Sequence, residues 1–161
     1  MIVVLFGVTG SGKTTIGRLL AQELGWKFAD GDEFHSNSNV EKMRHGVALT
    51  DTDREPWLER LREPLVKSVA RGENMVLACS ALKEKYRDRL QVGSEIRWVL
   101  LKGEYATIAN RLRERQNHFM NPDLLQSQFD ALEEHTGSAL VVDVNATPQE
   151  IVQTIRKNLL I

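Results

Sequence analysis

Residues 7 to 14 read Gly-Val-Thr-Gly-Ser-Gly-Lys-Thr, and no other stretch restricts the fold of this chain so severely. Glycines at 7, 10 and 12 let the backbone curl into a nest whose N–H groups point inward, with the Lys13 ammonium and the Thr14 hydroxyl at its far end. The pattern G-x-x-x-x-G-K-[ST] holds a phosphate chain only when a strand precedes it and a helix follows, because the helix N-terminus adds its partial positive charge. Both flanks are present. Ile2 to Phe6 is an apolar run, while Ile16, Leu19, Leu20 and Leu24 mark one face of a helix stopped by Gly25. Gly7, Thr9, Gly10, Ser11, Gly12, Lys13, Thr14 and Thr15 are therefore the expected triphosphate-binding residues, with Lys13 on the β and γ phosphates and Thr14 on Mg²⁺.

The rest of the chain alternates short apolar runs with helical periodicity, the pattern of an α/β protein with a parallel sheet. Strands are expected at Ile2 to Phe6, Lys27 to Ala29, Met75 to Cys79, Ile96 to Leu101 and Ala139 to Val144. Trp57, Leu58, Leu61, Leu65 and Val69 form one helix face, which Pro64 should kink, and Tyr105, Ile108, Ala109 and Leu112 form another. Asn121 and Pro122 should open a helix carrying Leu125, Phe129 and Leu132. Thr147 with Glu150 is a capping box ahead of Ile151, Ile155 and Leu159. At 161 residues this is one domain, residues 1 to 161, with its ligand crevice beyond the carboxyl ends of the strands.

Charge and cysteine content narrow the partners. Twenty-one basic residues nearly cancel twenty-two acidic ones, so no global field favours nucleic acid or an anionic membrane, and anions must be captured locally. The lone cysteine, Cys79, lies in an apolar run and reads as a buried thiol in a reduced, cytoplasmic setting. The apolar N-terminus is short and lacks a basic leader, and no run is long enough to cross a bilayer.

A phosphate nest alone does not separate kinases from switch proteins. The third strand ends Ala78-Cys79-Ser80, with no magnesium-binding Asp of the kind a switch protein would carry there. The acids sit instead at Asp30-Gly31-Asp32, after the second strand. On extended backbone residues two apart face the same side, so Asp30 could hold magnesium water while Asp32 takes the proton of an attacking hydroxyl. The plainer alternative is a solvated acidic turn.

From that turn the chain continues Glu33-Phe34-His35, Asn39-Val40-Glu41-Lys42-Met43, Gly46, Leu49, Asp51, Asp53-Arg54 and Pro56-Trp57-Leu58. It then reads Cys79-Ser80-Ala81-Leu82-Lys83, Tyr86-Arg87-Asp88, Arg111-Leu112, Arg115 and His118-Phe119. Along essentially its whole length, in order, it resembles the gluconate kinases, relatives of the shikimate and nucleoside monophosphate kinases. One departure is Asn117, where that pattern has glycine.

The resemblance implies a three-layer P-loop kinase fold with sheet order 2-3-1-4-5, a homodimer, and ATP-dependent, Mg²⁺-dependent phosphorylation of D-gluconate at its 6-hydroxyl. Such an acceptor needs a cation for its carboxylate and polar groups for its hydroxyls. Arg54 is the expected anchor, the alternative being a helix-start arginine paired with Asp51 or Asp53. Lys83 and Arg87, four apart, are expected to share one helix face toward the acceptor. His35 is a candidate for a hydroxyl, and Trp57 is expected in the core.

A small lid is expected around residues 111 to 122, with Arg111 and Arg115 carried onto the γ-phosphate and His118 at its base. By analogy with that family, the turn Val144 to Ala146 should lie against the base. The competing readings keep the fold but change the acceptor to shikimate, another sugar acid or a nucleoside monophosphate, or dispense with an acceptor as a nucleotide-dependent switch.

Overall fold

The computed structural model describes residues 1–115, 121–134 and 137–161. Its centre is β1, Ile2–Phe6, every residue of which is buried. Because side chains alternate along a strand, Val3 and Leu5 enter one core and Ile2, Val4 and Phe6 enter the other. A strand apolar on both faces must be covered on both, and the helices do so.

The first core is closed by α1 (Lys13–Leu24), α5 (Tyr105–Glu114) and α7 (Pro148–Leu159), through Ile16 and Leu20, Ile108 and Leu112, and Ile151 and Ile155. The second is closed by α3 (Asp51–Arg71) and α4 (Glu84–Leu90), through Trp57, Leu58, Leu61, Leu65, Tyr86 and Leu90. The remaining strands are β2 (Lys27–Asp30), β3 (Met75–Ala78), β4 (Ile96–Lys102) and β5 (Leu140–Asp143). All pairings are parallel in the order 2-3-1-4-5.

This order sets the carboxyl ends of β1, β3 and β2 side by side. Leu5 pairs with Ala78, which pairs with Asp30, and Gly7 N–H donates to Ser80 O at 3.2 Å. The nest, Ser80 and the acidic turn therefore open onto the same crevice.

Three helical details go beyond the sequence reading. Helix α3 continues through both Pro56 and Pro64 to a left-handed cap at Gly72, and it starts at a Thr50–Asp53 capping box. Asn121-Pro122 opens a 3-10 turn, Pro122–Leu124, before a short α6, Leu125–Ala131. A further helix, α2 (Asn37–Arg44), is capped by the Ser36 hydroxyl on Asn39 N–H and follows the acidic turn.

Candidate active site

The nest adopts the backbone its glycines permit. Gly10 and Gly12 have φ of 76° and 92°, a region costly for any residue with a Cβ. Lys13 Nζ folds back to donate to Val8 O at 2.7 Å. Burial lowers the pKa of this ammonium, opposed most by the charge of Asp32. An anionic phosphate would restore the support that burial removes.

Thr14 Oγ1 donates to Asp30 Oδ2 at 2.7 Å. Among the described residues no group of three or more His, Cys, Asp or Glu could hold a metal. Magnesium does not need one, since it keeps several waters and takes one or two protein oxygens plus phosphates. The Thr14 and Asp30 pair fits that requirement.

The acidic turn reaches the nest by a different route from strand alternation. Gly31–Phe34 is a 3-10 turn capped by Asp30, whose Oδ1 accepts Asp32 N–H at 3.0 Å. The two acids, Lys13, Thr14 and Arg115 thereby wall one small phosphate-side pocket. Two further contacts pin the turn. Trp57 Nε1 donates to Gly31 O at 2.8 Å, and a Cβ on Gly31 would lie 2.7 Å from that of Cys79. The Cys79 thiol is pushed by burial up to about 12, so it is a packing group, as expected.

Beyond the turn lies a chamber of about 30 Å³ lined by Thr9, Lys13, Asp32, His35, Arg54 and Gln128, among others. Arg54 is not taken by either nearby acid: Lys42 pairs with Asp53 and Lys83 with Asp51. Its Nη1 donates to Leu49 O at 2.7 Å, and its guanidinium lies 5.5 Å from the centroid of the Tyr86 ring. His35 stacks flat on Trp57, centroids 4.6 Å apart and rings 7° from parallel. Burial pulls its imidazole down to about 4, with Asp32 opposing and Arg54 and Arg60 adding to the fall. Its Nδ1 is buried without a hydrogen-bond partner, an atom suited to a hydroxyl. An open mouth of about 430 Å³, lined by Thr14, Asp30, Asp32, His35 and Arg115, adjoins this chamber.

On the other side of the nest is a cleft of about 360 Å³ lined by Gly10, Ser11, Gly12, Thr15, Arg111, Arg115, Ala146 and Pro148. Arg111 Nη2 donates to Val144 O at 2.8 Å, so the turn after β5 borders this cleft. Arg115 lines this cleft, the phosphate-side pocket and the open mouth. A single guanidinium thus borders all three spaces.

A family model described as shikimate kinase matches residues 9–160. Gluconokinase from Arabidopsis thaliana is 42% identical over 169 aligned positions, spanning 96% of this chain and 89% of that protein. The chain belongs to the gluconokinase family. Among solved structures it superimposes on a sugar kinase from Janibacter sp. HTCC2649 with a TM-score of 0.92, at 40% identity over 99% of this chain and 94% of that one. A gluconokinase from Sinorhizobium meliloti 1021 gives 0.83, at 37% identity over 98% and 94% of the two chains.

Within this gluconokinase-family site one sequence expectation needs correction. Lys83 and Arg87 do not share a helix face toward the acceptor. Lys83 precedes α4 as its N-cap and pairs with Asp51. Arg87 is 2% exposed and donates to Ala81 O, Leu82 O and Glu133 O, with its guanidinium 4.7 Å from the Phe6 ring centroid. Spacing of four showed that they are neighbours, but not that Arg87 turns inward to satisfy three carbonyls. Of the expected lid, residues 116 to 120, including Asn117 and His118, lie outside the described residues.

Gln128 was missed. It sits in the i, i+3, i+4, i+7 series Leu125, Gln128, Phe129, Leu132, and a polar residue on an otherwise apolar face was the available signal.

Proposed function

We propose that the chain transfers the γ-phosphoryl group of ATP to the 6-hydroxyl of D-gluconate, giving 6-phospho-D-gluconate and ADP. The observation that carries this reading is the chamber in which Lys13 and Asp32 share walls with Arg54 and His35. It offers a cation to a carboxylate, a neutral imidazole to a polyol, and a carboxylate beside the phosphate end. The relatives named gluconokinase support the choice of acceptor.

In this reading Arg54 grips the acceptor carboxylate, which places the far hydroxyl toward the nest. His35, uncharged at neutral pH, orients a hydroxyl without competing for the carboxylate. Asp32 accepts the proton as the hydroxyl oxygen bonds to phosphorus, and the bond to ADP breaks in line.

Gly7, Thr9, Gly10, Ser11, Gly12, Lys13, Thr14 and Thr15 hold the triphosphate, and Lys13 and Arg115 meet the charge that develops during transfer. Arg111 frames the nucleotide cleft. Thr14 and Asp30 are the residues that would hold Mg²⁺, which when bound neutralises β- and γ-phosphate oxygens.

Cytoplasmic residence fits the buried, reduced Cys79, and a homodimer follows from the family resemblance; light scattering tests the latter.

The deciding experiment is ADP release from ATP with gluconate, shikimate, glucose and nucleoside monophosphates compared at equal concentration. Gluconate should dominate by at least tenfold. Preference for another acid would move the acceptor, and no stimulation by any of them would favour a switch protein.

A further inference from the structure

Gln128 is 8% exposed, yet it lies on the helix that follows the arginine segment, far in sequence from the nest. Its Oε1 accepts the backbone N–H of Thr9 at 2.6 Å. A backbone N–H can only donate, so this contact fixes which end of the carboxamide faces the nest.

The other end of the same peptide plane is the Val8 carbonyl. It accepts Lys13 Nζ at 2.7 Å and Ser11 N–H at 3.3 Å. Gln128 and Lys13 therefore hold opposite ends of one peptide. If that plane rotated, the Val8 oxygen would turn and the tether of Lys13 would turn with it.

The helix carrying Gln128 is itself anchored at both ends. Asn121 N–H donates to Met43 O at 3.2 Å, and Leu124 packs with Met43 and Leu49. Past α6, Glu133 N–H donates to Leu82 O at 2.8 Å, and Glu133 O accepts from Arg87. Gln128 is thus a mounted strut, and it also lines the chamber that holds Lys13, Asp32 and Arg54.

We propose that Gln128 is a positioning residue for phosphoryl transfer: through its Oε1 it sets the Val8–Thr9 peptide plane and hence the place of Lys13. The proposal takes its acceptor from the gluconate reading above. Misplacement by about 1 Å in such a site costs about a hundredfold, so loss of the strut should appear in turnover.

The test compares Gln128→Leu, which keeps bulk but offers no acceptor atom, with Gln128→Glu, which keeps one. Gln128→Leu should lower kcat about 10- to 100-fold while KM for gluconate stays within about threefold, since Arg54 and His35 are untouched. Gln128→Glu should recover at least about tenfold of that loss, and amide exchange at Thr9 should quicken in the Leu variant alone. A folded Leu variant with wild-type kcat would overturn the proposal, and so would equal impairment of both variants. If Gln128→Leu does not fold, Gln128→Met makes the same comparison. Should wild-type enzyme ignore gluconate, the acceptor assignment fails by itself; Thr9 exchange and turnover with the acceptor that does work then judge Gln128.

Discussion

Trp57 donates its indole N–H to the carbonyl of Gly31 at 2.8 Å, and the same indole carries the His35 ring on its face. One core side chain therefore fixes both the turn bearing Asp32 and the imidazole beside it. Trp57→Phe keeps an aromatic ring but removes the donor. It should lower kcat/KM for gluconate about tenfold or more, with the dissociation constant for ATP within about twofold of wild type. Steady-state kinetics with calorimetric nucleotide titration checks this.

Asp32 reaches the nest on a 3-10 turn that shares walls with Lys13. Asp32→Asn keeps the shape but replaces one acceptor oxygen with a donor nitrogen and cannot take a proton. Turnover should fall by about 10²- to 10⁴-fold while ATP still binds. Near-normal turnover in this variant would remove Asp32 from the role of base.

Arg115 borders the nucleotide cleft, the phosphate-side pocket and the acceptor mouth. Arg115→Ala should cut kcat about a hundredfold or more, and ADP affinity should change little because the nest is intact. Arg111→Ala, by contrast, should mainly raise KM for ATP, because Arg111 is held on Val144 O in the nucleotide cleft. Rapid-quench measurement of a single turnover separates the two.

The imidazole of His35 falls to about 4 on folding, chiefly by burial. Its folded pKa lies below its unfolded one, so between about pH 4 and 6.5 the unfolded chain binds more protons there. Its stabilising effect is therefore complete above the unfolded value and declines as pH drops through that window. Melting temperature should rise with pH across it, and His35→Gln should flatten the rise. A profile unchanged by the substitution would contradict the burial of a neutral ring.

Arg87 bonds three carbonyls from a buried position. Arg87→Met fills similar space and leaves the Ala81 and Glu133 carbonyls without the side-chain donor, at a cost of about 3 kcal/mol. At about 2–4 °C per kcal/mol in a chain of this size, the melting temperature should drop by about 10 °C. KM for gluconate should remain near wild type. A large rise in KM with little change in melting would return Arg87 to the acceptor.

The sheet and the nest were legible because each rests on a local, periodic or fixed-spacing rule. Ile2 to Phe6 is apolar on both faces, and Gly7 to Thr14 has its spacing written in consecutive residues. The acidic turn was legible in composition but not in geometry, since a 3-10 turn and an extended strand both bring Asp30 and Asp32 together. Lys83 and Arg87 show the limit of spacing rules. Spacing gives adjacency, whereas the direction of a buried cation depends on which carbonyls the tertiary fold brings around it, here Ala81, Leu82 and, from 46 positions away, Glu133. Gln128 finds its partner 119 positions away, a distance over which no sequence window operates.

The space between Arg54 and Lys13 measures about 30 Å³, room for a water molecule or two and far too little for a six-carbon acid. One side of it is built from Met43 and Leu49, and Met43 O accepts the backbone N–H of Asn121. A sugar acid therefore has to extend from this space into the adjoining mouth of about 430 Å³, so that it runs past Asp32 and His35, which border both.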